Sequence, residues 1–165
     1  MRWMWIDRVV LLEPRQKMVA LKNISMAEEH LHDLPHGGSS PLMPASLIIE
    51  GMAQTAGILV GHANNFREKV ALAKISKAEL NEDAPPGYTL RYTATIQHLD
   101  ALGASTTGTV ELLDPATGHA RAIGAIDLMF SHLDHNLAGA EFPQHNFVFS
   151  GLFKTLLETS GVKLS

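Results

Sequence analysis

Within PASLIIEGMAQTAGILVG, Pro44 to Gly61, one carboxylate, Glu50, and one amide, Gln54, stand among mostly apolar residues. A carboxylate taken out of water is costly unless it is paired or hydrogen-bonded, and burial raises a carboxyl pKa toward the range useful for proton transfer. Glu50 is therefore either a satisfied structural acid or a catalytic one. Ser46 and Gln54 lie four residues to either side of it, which on a helix puts all three on one face as a polar stripe. Just upstream, HLHDLPHGGSSPLMP (His30 to Pro44) brings His30, His32 and His36 into a segment whose Gly, Ser and Pro content predicts an irregular loop. Imidazole, with an ordinary pKa of about 6.5, is the usual general base near neutral pH. A histidine base beside a carboxylic acid suits proton transfer to and from an organic substrate. Zinc binding by His30, His32 and His36 is the competing use, but the His-Glu-x-x-His pattern and cysteine are both absent, which argues against a metal.

Such groups need a frame. Pro44 suits the first turn of a helix, where its missing N–H is not needed, and the apolar run with Gly51, Ala53, Ala56, Gly57 and Gly61 predicts a helix over Pro44–Gly61 surrounded on most sides. It is barely long enough to cross a bilayer, and a mid-span carboxylate would cost about 2.5–3.5 kcal/mol there, so a helix buried in protein is the better reading. Segments rich in Val, Ile, Leu, Thr and Tyr predict six strands: Trp5–Glu13, Lys17–Ile24, Val70–Leu80, Tyr88–Leu99, Ser105–Leu113 and Arg121–His132. The connections Pro14-Arg15-Gln16, Ala84–Gly87 and Asp114–Gly118 are too short for parallel crossovers, so the sheet should be mainly antiparallel. The expected fold class is α+β, an antiparallel sheet wrapped around one long helix. Residues 1–132 form that domain. Residues 133–165 are a loop and helix packing on it, with Phe149, Leu152, Phe153, Leu156 and Leu157 at helical spacing as a cap over the core, a subunit contact or a substrate lid.

The chain has 165 residues, 45% of them hydrophobic, enough for one domain with a real core. A formal charge of −4 with mixed signs leaves no nucleic-acid footprint and no polybasic membrane patch. The absence of cysteine removes disulfides and thiol nucleophiles. The opening residues lack a small-residue cleavage site, so a cytoplasmic location is expected.

The run HGGSSPLMPASLIIEGMAQ, His36 to Gln54, resembles the signature of the β-hydroxyacyl-(acyl-carrier-protein) dehydratases, approximately H-F-P-G-x-P-x-M-P-G-x-L-x-x-E-A-x-A-Q. Without a gap, His36 falls on that family's catalytic histidine and Glu50 on its catalytic acid. Pro41, Met43, Pro44, Leu47, Ala53 and Gln54 fall on further motif positions, and DRVVLLEP and APPGYTL look like the family's first strand and proline-glycine turn. The resemblance implies the hot-dog fold and a homodimer, or an oligomer of dimers, whose sites take His from one subunit and the acid from the other. It also implies dehydration of a (3R)-3-hydroxyacyl thioester to the trans-2-enoyl thioester in fatty acid synthesis, with acyl carrier protein or coenzyme A as carrier and no metal or organic cofactor. His36 would take the C2 proton, Glu50 would protonate the departing hydroxyl, the Ala45 N–H would face the carbonyl oxygen, and Gln54, Met43 and Pro44 would support the site or bind substrate. Two departures stand out: Gly37-Gly38-Ser39 replaces Phe-Pro-Gly, and Ala45 replaces a glycine. A gapped register would put His32 on the catalytic position. An acyl-thioester hydrolase and a non-catalytic acyl-binding protein are the alternative functions. Arg67, Lys69, Lys74 and Lys77 are candidates for contact with the carrier.

Overall fold

The computed structural model describes residues 3–29, 41–136, 146, 148–149 and 151–162. Strands β1 (Arg8–Glu13) and β2 (Lys17–Asn23) form a hairpin. Pro14 presets the first turn position and Arg15 takes the left-handed one (φ 63°), while the Gln16 N–H donates to the Glu13 carbonyl at 3.0 Å. Helix α1 (Ala45–Ala63) follows, then β3 (Val70–Leu80), β4 (Thr89–Leu99), β5 (Gly103–Leu113) and β6 (Ala120–His132). Among the described residues two short helices follow, α2 (Leu133–Asn136) and α3 (Gly151–Thr159). The strands make one sheet in the order β1-β2-β4-β5-β6-β3, and every neighbouring pair is antiparallel.

The sheet curls around α1, which touches every strand from β2 to β6. Register shifts at Val9/Leu11, Leu72/Lys74, Ile75/Lys77, Ile96/His98 and Val110/Glu111 bend it, as an extra residue in one strand of a pair does. Alternation sends Met18 and Ala20, Leu90, Tyr92 and Ala94, and Val110 and Leu112 inward against Ile48, Met52, Ile58 and Leu59 of the helix. The approach is close at Gly51, where a Cβ would lie 2.5 Å from the Tyr92 hydroxyl. Burial pushes the Tyr92 phenol well above its ordinary pKa, with the Asp7 and Glu28 carboxylates adding to the shift. This is the expected hot-dog arrangement.

The differences from expectation have local causes. β1 begins at Arg8 rather than Trp5, because the Trp5 N–H donates to Gln54 of α1 instead of to a neighbouring strand. α1 extends past Gly61 to Ala63, where the N–H groups of Asn64 and Phe66 turn back to the Gly61 carbonyl. The tail helix covers Gly151–Thr159, so Phe149 of the apolar series precedes it. Among the described residues no helix is long and apolar enough to cross a membrane.

Candidate functional site

Glu50 lies in the second turn of α1 and is half-buried. Among the described residues, its Oε1 accepts two hydrogen bonds, from Trp3 Nε1 at 3.1 Å and from Gln54 Nε2 at 3.0 Å. Gln54 is buried and in turn ties down the chain start: its Oε1 accepts the Trp5 N–H at 2.9 Å, and its Nε2 also donates to the Trp3 carbonyl at 3.3 Å. The Trp3 and Trp5 rings meet edge to face, 5.6 Å apart. Gln54 thus holds the Trp3–Trp5 segment against the helix, and that segment returns an indole N–H to Glu50. Both donors to the carboxyl are neutral, so they orient it without pairing its charge.

The Glu50 carboxyl borders a cavity of about 260 Å³ that runs along α1 past Ala53 and Gly57. Among the described residues its lining, apart from the polar groups of Trp3, Glu50 and Gln54, is apolar, with Leu72, Phe130, Phe149 and Phe153 among the walls. An acid at one end of a greasy slot suits a ligand with a reactive head and an apolar body.

The other residues singled out by sequence fall elsewhere. Met43 is buried, its N–H donating to the Ala84 carbonyl at 2.9 Å. Pro44 precedes α1 with φ −58° and ψ 136°, and its carbonyl accepts the N–H groups of Leu47 (2.9 Å) and Ile48 (3.1 Å). Ala45 borders a second hollow with Met43, Ile48, Leu80 and residues 81–84. Five residues along a helix is about 1.4 turns, so Ala45 and Glu50 of one chain face different sides and do not converge. His36, with His30 and His32, lies outside the described residues, as do Gly37, Gly38 and Ser39. Among the described residues, no group of three or more His, Asp or Glu side chains is placed to hold a metal ion.

Of the basic candidates, Arg67 and Lys74 are exposed and Lys77 pairs with Glu79 at 3.0 Å. Lys69 is buried: its Nζ and backbone N–H both donate to Asp134, at 2.7 and 2.9 Å, which removes it from any surface patch. Sequence reasoning missed Trp3 and also Lys22, a buried ammonium on the inner face of β2 that pairs with Glu28 and lies 3.5 Å from Asp7. Its signal was present in KMVALKN, where Lys22 shares the alternation phase of Met18 and Ala20.

The family model for the FabA-like domain matches residues 2–112. Among curated proteins, the chain is similar to the 3-hydroxyacyl-(acyl-carrier-protein) dehydratase FabZ of Clostridium kluyveri, 36% identical over 92 residues, covering 55% of this chain and 62% of that protein. The FabZ of Clostridium tetani is 39% identical over 88 residues, 52% of this chain and 60% of that one. The match thus spans about 60% of the length of these relatives. Among solved structures, the dehydratase heterocomplex ApeI:P from Xenorhabdus doucetiae superposes with a TM-score of 0.62 at 14% identity, covering 79% of this chain and 83% of that one. The acyl-CoA hydrolase from Staphylococcus aureus, solved with butyryl coenzyme A, gives 0.56 at 14% identity over 88% and 82%. At such identities the structural likeness shows the fold alone.

Proposed function

Because the chain belongs to the FabA-like domain family, we propose that it removes water from a (3R)-3-hydroxyacyl thioester, giving the trans-2-enoyl thioester. The observation that carries this reading is the placement of Glu50. The motif acid stands at the end of an apolar cavity, its carboxyl oriented by Trp3 and Gln54.

The chemistry assigns one task to each group. The neutral His36 imidazole removes a proton from C2, and the electrons of that C–H bond form the C2–C3 double bond. The C3–O bond breaks, and the hydroxyl takes the Glu50 proton, directly or through a water, to leave as water. His36 then holds one proton more and Glu50 one fewer, and a proton exchange with solvent resets them. A thioester α-proton is weakly acidic, so charge accumulates on the carbonyl oxygen. The Ala45 N–H, at the positive end of α1 and without an intrahelical acceptor, supplies a donor there. Since Ala45 and Glu50 of one copy face apart, the reading takes His36 and Ala45 from one subunit and Glu50 from its partner in a homodimer. The exposed edge strand β3, with Leu72 and Ile75 open to solvent, supports association of copies, because a long unpaired edge carrying apolar side chains invites a second chain.

The carrier of the acyl group is acyl carrier protein or coenzyme A, the setting is cytoplasmic fatty acid synthesis, and residues 133–165 extend the domain of residues 1–132. His36→Ala and Glu50→Gln homodimers are each expected to form no enoyl product. Hybrid dimers made by mixing the two and exchanging subunits should regain activity, because one of their two sites is intact. Lack of recovery in verified hybrids overturns the shared site, and retained activity in His36→Ala with loss in His32→Ala overturns the register.

A further inference from the structure

Beyond the segment matched by the family model, Val148, Phe149 and Phe153 reach the Glu50 cavity. We propose that Phe149 is the end-stop of that cavity and limits the length of the acyl chain it accepts. The identity of the ligand as an acyl thioester rests on the dehydratase reading; the placement of the stop rests on the packing alone.

The floor of the cavity is the face of α1 that carries Glu50, Ala53 and Gly57, and from Glu50 to Gly57 the helix rises about 10 Å. At Gly57 this face is open: a Cβ there would meet only Phe130 Cε1, at 3.6 Å. One turn further, at Gly61, it is closed. A Cβ at Gly61 would come within 2.3 Å of Phe149 Cζ, so the Phe149 ring lies directly on the helix backbone. Phe66 and Phe153 flank that ring, with centroids 4.7 and 6.0 Å away. On the far side of the Phe149 and Phe153 rings is a second apolar hollow of about 130 Å³, lined by Phe66, Lys154 and Leu157 as well. The two rings are shared walls between the spaces.

The stop is anchored on both sides. Asn146 Nδ2 donates to the Phe66 and Glu68 carbonyls, both at 2.9 Å, and its Oδ1 accepts the Val148 N–H at 3.1 Å. Within α3, Leu156 and Leu157 are buried, and just after it Ser160 Oγ accepts the Val9 N–H at 3.0 Å. A chain that enters with its thioester end at Glu50 therefore meets a fixed aromatic wall rather than a yielding one. Truncating Phe149 joins the cavity to the hollow behind it, and a side chain at Gly57 obstructs the cavity midway.

The test is calorimetric binding of butyryl-, octanoyl- and dodecanoyl-coenzyme A, which lack the 3-hydroxyl and do not turn over, to the wild-type protein, Phe149→Ala and Gly57→Ala. Each methylene newly buried gains about fourfold in affinity, so Phe149→Ala is expected to raise dodecanoyl binding roughly tenfold or more while butyryl binding stays put. Gly57→Ala, which favours the helix, is expected to weaken octanoyl binding relative to butyryl, and it keeps the test decisive if Phe149→Ala does not fold. Chain-length ratios equal to wild type in the folded variants overturn the end-stop and leave the dehydratase reading standing. The expected binding pattern with no enoyl formed from a 3-hydroxyacyl thioester overturns the dehydratase reading and leaves the end-stop. No binding of any of the three thioesters by wild type overturns the end-stop.

Discussion

Glu50 owes its orientation to two neutral donors, and the two differ in how they are supplied. Gln54 is one helical turn away, so its bond to Glu50 is local; Trp3 arrives from 47 residues upstream and depends on the Gln54–Trp5 bond to arrive at all. Trp3→Phe keeps the ring and removes the N–H. It should leave the melting temperature almost unchanged and lower kcat by roughly tenfold to a hundredfold as the carboxyl loses its fixed geometry. Gln54→Ala is expected to do more, because it also strands the buried Trp5 N–H, at a cost of about 1–3 kcal/mol read by urea denaturation. The i, i+4 stripe made the Glu50–Gln54 pair legible in the sequence. No local pattern marks Trp3, because nothing in MRWMWID specifies which part of a distant helix it will meet. Ala45 and Glu50 were assigned to one chemistry by motif alone, and only helix geometry shows that they face apart within a chain.

Among the elements, the strands were legible because their inward and outward residues alternate, and α1 because Pro44 opens an apolar run of small and branched residues. Their ends were less so: β1 starts three residues late, since a side chain of α1 takes the backbone donor that a strand would have used. The bulges and the sheet order were not visible, because they arise from pairing between strands. One such pairing sets Arg91 of β4 opposite Glu111 of β5, with two bonds of 2.7 Å between guanidinium and carboxylate. Hydrogen bonding from Arg91 holds the Glu111 carboxyl below its ordinary value of 4.5. A depressed folded-state pKa gives stability that is present above the unfolded value and is lost as pH falls through the folded one. Glu111→Gln should therefore cost about 1 kcal/mol or less at pH near 7, the pair being partly exposed, and the difference should shrink as the pH is lowered below about 4.5. Urea melts of both proteins across that range check this.

For the whole molecule, the unpaired edge is the feature that the proposed chemistry needs. β3 ends the sheet, and Leu72 and Ile75 stand 41% and 45% exposed on it in the single chain. Ile75→Lys adds a charge to this edge, a common device against edge pairing, and is expected to yield a folded protein that sediments as a monomer and forms no enoyl product. A monomer with full activity would refute the shared site. Neither the edge nor the cavity could be read from composition, since both are made by where the sheet stops curling and by what the tail covers. The claim beneath all of this is that the chain dehydrates rather than hydrolyses. Incubating the wild-type protein with a (3R)-3-hydroxyacyl thioester while following enoyl absorbance and free thiol together tests it most directly. The account predicts enoyl absorbance that rises with no thiol released, whereas thiol released without enoyl, or no change in either, would contradict it.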